Sequence, residues 1–244
     1  MSWRTAQVAL LVLCTSLRPN GFSFLQASGE NASRTLQVGA ASGQPSYTLR
    51  ISAKGREGLV EVRGGSKALV QTLTCPLLQG ISNPSDLEIK GAAEQFVTHF
   101  ETEDLNLDGY PDLKGPREFG ASWSRYCVWL FDPATRSFQK GFLTEQLELL
   151  YHLRADSKRG RIISYSIGPV NPLWDEYRIE SESKDRPYWP RLIPVESCFI
   201  KTGPTGENST AVITRYERDR SVIVRRPLPS NIGMPEACDS FDNR

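Results

Sequence analysis

Apolar residues recur at every second position through much of this chain, in short runs broken by glycine and proline. That period of two commits most of the sequence to β-strands. Tyr47, Leu49 and Ile51 alternate with polar neighbours, and Val60 and Val62 repeat the pattern after the turn Lys54-Gly55-Arg56-Glu57-Gly58. Leu69, Gln71 and Leu73 form a third run that ends at Cys75-Pro76. The pattern returns at 126–131, 161–167, 174–180, 210–217 and 221–225, while only 144–153, with Leu147, Leu149, Leu150 and Leu153, carries helical spacing. Such punctuation favours hairpins and meanders over βαβ crossovers. The expected fold is mostly β, an antiparallel sandwich, open barrel or propeller-like domain with at most one short helix. No internal repeat of convincing period marks a regular propeller.

The first residues read as an export signal. Arg4 precedes an apolar run from Val8 to Cys14 that is too short to cross a bilayer, and Gly21 and Ser23 supply the small residues of a cut before Phe24. A second candidate cut follows Ala27. The expected organisation is a signal peptide at 1–23, a flexible spacer at 24–45 rich in Ser, Gly, Ala and Gln, one β-rich domain at 46–226 and a tail at 227–244. Export leaves Cys75, Cys127, Cys198 and Cys238, an even set that suggests up to two disulfides in any of three connectivities. Asn31-Ala32-Ser33 and Asn208-Ser209-Thr210 match glycosylation sequons. Lys and Arg number 29 against 28 Asp and Glu, so nothing in the overall charge calls for nucleic acid or an anionic membrane. The expected location is the periplasm or the exterior, without stable membrane insertion.

The strongest chemical motif is Asp104-Leu105-Asn106-Leu107-Asp108-Gly109-Tyr110-Pro111-Asp112. It places side-chain oxygens at positions 1, 3, 5 and 9 of a calcium loop, a glycine at the sharp turn in position 6 and the Tyr110 carbonyl at position 7. A hard cation such as calcium suits this all-oxygen shell. Position 12 is Gly115 where a calcium hand has a bidentate Glu, and Pro111 argues against a following helix; Glu118, Glu103 or water would complete the shell. The ion is expected to be structural, holding together carboxylates that repel one another. Ser122, Trp123, Ser124 and Tyr126 follow in a loop of small and aromatic residues with Arg125, a composition suited to recognition.

The calcium loop, the Gly/Ser/aromatic loop and then Val128-Trp129-Leu130-Phe131-Asp132-Pro133-Ala134-Thr135 together resemble a family of exported bacterial immunity proteins against lysozyme-like effectors of secretion systems. That family is similar in design to the periplasmic inhibitors of invertebrate-type lysozyme. The resemblance covers roughly residues 46–200. It implies a β-rich calcium-loop protein whose partner is a lysozyme-like peptidoglycan hydrolase. Inhibition would proceed by a loop entering the hydrolase cleft, where hydroxyls meet the catalytic carboxylates; Ser122, Ser124 and Tyr126 match such a loop in chemistry and place.

The protein is not expected to be an enzyme. His99 and His152 have no metal partner at close spacing and no nucleophile elbow nearby, and no glycine run opens a phosphate-binding helix. The alternative class is a calcium-dependent carbohydrate-binding or adhesion module, with Trp174, Tyr177, Tyr188 and Trp189 as a stacking platform ordered by Pro187 and Pro190. Arg215, Arg218, Arg220, Arg225 and Arg226 give a basic C-terminal hairpin, offset by Glu217 and Asp219.

Overall fold

The computed structural model describes residues 24–28, 31–39, 45–120, 122–166, 173–180, 190–201, 209–217, 220–227 and 238, with side chains from residue 33 onward. The expected signal segment, the second sequon at Asn208 and the Pro187-Tyr188-Trp189 loop lie outside these residues.

Three antiparallel sheets are present among the described residues, and in each of them every strand pairs with the next one in sequence. The first holds β1 (Phe24–Ser28), β2 (Asn31–Val38), β3 (Tyr47–Lys54), β4 (Glu57–Arg63) and β5 (Leu69–Pro76). Helix α1 (Asp86–Thr98) follows. The second sheet holds β6 (Glu101–Glu103), β7 (Asp112–Phe119), β8 (Ser124–Asp132) and β9 (Ser137–Gln139). After α2 (Phe142–Leu147) comes a third, six-stranded sheet of β10 (Arg154–Asp156), β11 (Arg161–Ser166), β12 (Leu173–Glu180), β13 (Arg191–Lys201), β14 (Thr210–Tyr216) and β15 (Ser221–Pro227).

The period-two pattern explains the buried faces. Leu49 and Ile51 of β3 and Val60 and Val62 of β4 are buried, with polar neighbours turned outward. The β3–β4 hairpin closes at Lys54 opposite Glu57, with Gly55 in the left-handed region (φ 58°) that favours glycine. Helix α1 is started by a reciprocal cap: Ser85 Oγ accepts from the Glu88 N–H and the Glu88 carboxylate accepts from the Ser85 N–H. Its Phe96 and Val97 enter a core shared with the first and second sheets. Two glycines make room for it. A Cβ on Gly58 would sit 2.6 Å from the Phe96 ring, and one on Gly115 would sit 2.5 Å from Phe96 and 2.9 Å from Phe100.

A second core joins Leu105, Val128, the α2 residues Leu143 and Leu147, Leu153 and Ile162. A third gathers Ile163, Trp174, Cys198, Ala211, Ile213 and Cys238 on one face of the last sheet. The disulfides are Cys75–Cys127, which fastens β5 to β8, and Cys198–Cys238, with Cα atoms 5.8 and 6.0 Å apart. Cys238 of the expected C-terminal tail is therefore tied to β13.

Three expectations are corrected. The stretch expected as a flexible spacer forms β1 and β2, and β2 pairs with β3 from Ser33 opposite Ser52 to Val38 opposite Tyr47. Its apolar residues Leu36 and Val38 reach the first core, which is what holds an otherwise polar segment in place. Among the described residues two helices are present where at most one was expected, because α1 is stabilised by its cap and its packing. The helix expected at 144–153 is shorter and begins earlier: α2 ends at Leu147, and the chain then turns, so that Leu149 is exposed.

Candidate metal centre

The acidic loop joins β6 to β7, and its backbone is shaped by the side chains of its own acids. Asp104 accepts hydrogen bonds from the Asp108 N–H at 3.0 Å and the Gly109 N–H at 2.9 Å. Asn106 Oδ1 accepts from the same Asp108 N–H at 3.2 Å, and Asp108 Oδ1 accepts from Tyr110 at 2.9 Å. These are Asx turns, the local bonds that Asp and Asn prefer to regular structure. Leu107 (φ 61°) and Gly109 (φ 91°) take the left-handed conformations that the tight path needs. Asp104 and Asn106 thus converge on one N–H, and Asn106 Nδ2 donates to Asp108 Oδ2 at 2.8 Å.

Asp112 plays a different part. It is fully buried, and its Oδ2 accepts from the N–H groups of Leu105 and Asn106 at 2.8 and 3.2 Å while its Oδ1 accepts from Phe131 at 2.7 Å. One carboxylate therefore closes the loop at its base and ties it to β8. Burial pushes the Asp112 carboxyl up to about 7; the three N–H bonds pull it down, and the like charge of Asp108 pushes it further up. Burial, with a smaller push from Asp108, also raises Asp104.

The fit to a cation is therefore in charge and donor type. Two acids are strained upward by burial and by a third acid of like sign, a condition that a bound cation relieves. Among the described residues no group of three or more His, Cys, Asp or Glu side chains is gathered at metal-holding distance. Asp104, Asn106 and Asp108 share one turn, whereas Asp112 is directed to backbone. Gly115, at position 12, lies in β7 beneath Phe96 and Phe100, so packing of α1 excludes a long side chain there. Of the expected supplementary ligands, Glu103 is engaged by Lys114 at 2.6 Å and the Ala155 N–H at 2.7 Å, and Glu118 pairs with Arg125 at 3.7 Å.

The expected recognition loop is the turn between β7 and β8. It stands at the far end of β7 from the acidic loop, roughly 25 Å away for eight strand residues. A strand's length separates the two. The turn has its own bracing. Gly120 donates to the Trp123 carbonyl at 2.8 Å, the His152 N–H donates to the Ser124 carbonyl at 2.9 Å, and His152 Nε2 lies 3.1 Å from the Ser122 carbonyl. Trp123 packs edge-on against Tyr151, and Arg125 both lies over the Tyr151 ring and donates to its hydroxyl. Ser122, Trp123 and Ser124 are half-buried at the turn. Tyr126 belongs to strand β8, packs against the second core and has Lys114 over its ring at 5.3 Å.

Composition alone did not reveal the importance of Lys114, Glu148 or Tyr151. Glu148 receives Arg117 at 3.1 Å, Lys140 at 2.6 Å and the Val128 N–H at 3.0 Å, and so fixes α2 to the second sheet. Of the three only Lys114 lies in a strand, and its place between Leu113 and Gly115 is one where alternation calls for a polar residue, so no periodicity marks it as buried. Of the expected glycan platform, Trp174 is 2% exposed, with its indole N–H donating to Glu176, so that ring is a core residue.

No family model, curated protein or solved structure matches the chain. Among the described residues no helix is long and apolar enough to cross a membrane.

Proposed function

We propose that the chain is an exported calcium-binding protein that inhibits a lysozyme-like peptidoglycan hydrolase. The observation that carries this reading is the bond between Asp112 and the Phe131 N–H. The two segments on which the resemblance to hydrolase inhibitors rests, the acidic loop and 128–135, form one hydrogen-bonded unit, as expected if they serve a single design. The calcium ion would be held by Asp104, Asn106, Asp108 and the Tyr110 carbonyl, with Asp112 supporting the loop from beneath. Its contribution is to neutralise crowded carboxylates and stiffen the end of the β6–β8 unit.

The element that meets the hydrolase is the turn carrying Ser122, Trp123 and Ser124. Bracing by His152 and Tyr151 lowers the entropy lost on docking. Serine hydroxyls on a rigid turn can satisfy carboxylates that lose water in an occluded acidic cleft. No chemistry of the protein's own is required.

The test is lysis of a peptidoglycan suspension by a panel of lysozyme-type hydrolases, followed by turbidity, with the protein added in calcium and in chelator. Protection against one class of hydrolase is expected in calcium. Asp108→Ala, whose calcium affinity is read by calorimetry, should lower thermal stability in calcium and weaken protection only as far as folding is lost, because the docking turn lies a strand's length from the loop. A folded protein that takes up calcium and slows none of the hydrolases would refute the reading.

A further inference from the structure

The six-stranded sheet ends at β15, which pairs with β14 and, among the described residues, with no other strand. Natural edge strands are usually blunted by charge, proline or a bulge. In β15 the blunting residues Arg225, Arg226 and Pro227 stand at one end. The middle is Val222-Ile223-Val224, three β-branched residues without a charge. Ile223 is 56% exposed and Val224 37%.

The ladder to β14 determines which backbone groups face outward. The Glu217 N–H donates to the Arg220 carbonyl at 2.9 Å, which makes these two a hydrogen-bonded pair. Bonded and non-bonded pairs alternate along an antiparallel ladder, and the register runs without a shift from Tyr216 opposite Ser221 to Thr210 opposite Pro227. The bonded pairs are therefore Arg215 with Val222, Ile213 with Val224 and Ala211 with Arg226. Ser221, Ile223 and Arg225 point their N–H and C=O groups away from β14, toward an edge that no other described strand covers.

We propose that this edge is a homodimer contact, in which two copies of β15 add antiparallel about a two-fold axis centred on Ile223 and join two six-stranded sheets into one. The strand is self-complementary in that register. Ile223 faces its own counterpart, Val222 faces Val224, and Ser221 faces Arg225, so no like charges oppose one another from 221 to 225. The outward groups match as well: Ile223 bonds to Ile223, and Ser221 to Arg225 on either side, all three with both N–H and C=O available. The contact ends where the pattern does. Arg226 would face Arg220, whose charge Glu217 already meets at 2.6 Å, and Pro227 has no N–H to give. A contact of this symmetry closes at two copies and does not propagate into filaments. The inference is independent of the hydrolase reading.

Sedimentation equilibrium of the purified protein from about 1 μM to about 1 mM tests it, this range spanning the affinities of short transient contacts. A monomer–dimer equilibrium is expected. Ile223→Lys sets two like charges against each other across the axis and should raise the dimer dissociation constant at least about tenfold. Ser221→Pro removes an outward N–H without touching the ladder to β14 and should also weaken the dimer. Leu69→Lys, at a comparably exposed apolar position on β5, should leave it unchanged. Thermal melts of all three confirm that folding is retained. A protein that stays monomeric throughout overturns the proposal, including one that instead binds an acidic extended peptide at Arg225. Dimerisation that withstands both β15 variants overturns it too.

Discussion

Lys114 is a cation inside the protein, and replacing it with methionine tests how the second and third sheets are joined. Its Nζ lies 2.6 Å from Glu103, 3.1 Å from Glu101 and 2.8 Å from the Leu153 carbonyl. Burial alone would lower its pKa, but Glu103 and Glu101 outweigh that effect and raise it. The other oxygen of Glu103 accepts from the Ala155 N–H at 2.7 Å, so the pair ties β6 and β7 to the segment that enters β10. Removing one partner of a buried ion pair costs about 3–5 kcal/mol. The Glu103 side chain is 25% exposed and that of Glu101 56%, so solvent recovers part of the charge left behind. A loss of about 2–3 kcal/mol is expected, which lowers the melting temperature by about 4–12 °C in a protein of this size. Urea unfolding in chelator measures it free of any calcium effect. In the Lys114→Met background, Glu103→Gln should cost at least about 1 kcal/mol less than it does in the native chain. Stability within about 0.5 kcal/mol of the native protein, or strict additivity of the two substitutions, would refute this account of the joint.

Two further tests address packing and pH. Gly115→Ala places a methyl group against Phe96 and Phe100 and should cost about 1–3 kcal/mol, part of it recovered by Phe96→Leu. Gly65→Ala, where a Cβ meets open space, should change stability little, and equal urea midpoints for the two alanine variants would defeat the packing argument. Burial raises the Asp175 carboxyl, against hydrogen bonds from Ser197 and Tyr177 that lower it. The folded protein therefore holds that proton more tightly than the unfolded chain does. The stabilisation is complete below the ordinary carboxylate range and is lost as pH rises from there through the raised folded value. Asp175→Asn should make stability fall less steeply as pH rises out of the ordinary carboxylate range, and a variant whose stability falls in parallel with the native protein there would contradict it.

Strands were legible where one face is buried and the other wet, as in β3 and β4, because such burial imposes strict alternation. β2 was not legible, since only Leu36 and Val38 in it are apolar enough to mark a buried face. Its place is set by pairing with β3, a long-range choice that composition does not record. Helix α1 did leave a signal, the Ser85-x-x-Glu88 cap followed by Ile89, Ala92, Phe96 and Val97 at helical spacing. That signal is easily hidden in a chain otherwise dominated by period two. The pairing of the cysteines was open in the sequence, and the fold sets it by bringing Cys75 of β5 within 5.8 Å of Cys127 of β8, and Cys198 of β13 within 6.0 Å of Cys238, between Cα atoms.

The residues of the acidic loop divide their work between the turn and the sheet beneath it. Positions 1, 3 and 5 bond only within the turn, so their side chains are free to reorganise around a cation without disturbing the fold. Position 9 is different, because Asp112 begins β7 and its carboxylate reaches both the start of the loop and the Phe131 N–H of β8. A side chain with that many backbone partners cannot turn toward an ion without leaving buried N–H groups unpaired, at about 1–3 kcal/mol each. Position 12 is taken by the requirement for a glycine under α1. The loop is thus shaped from both ends by the sheet it stands on. A cation there is expected to be held chiefly by the three residues whose only obligation is to the turn itself.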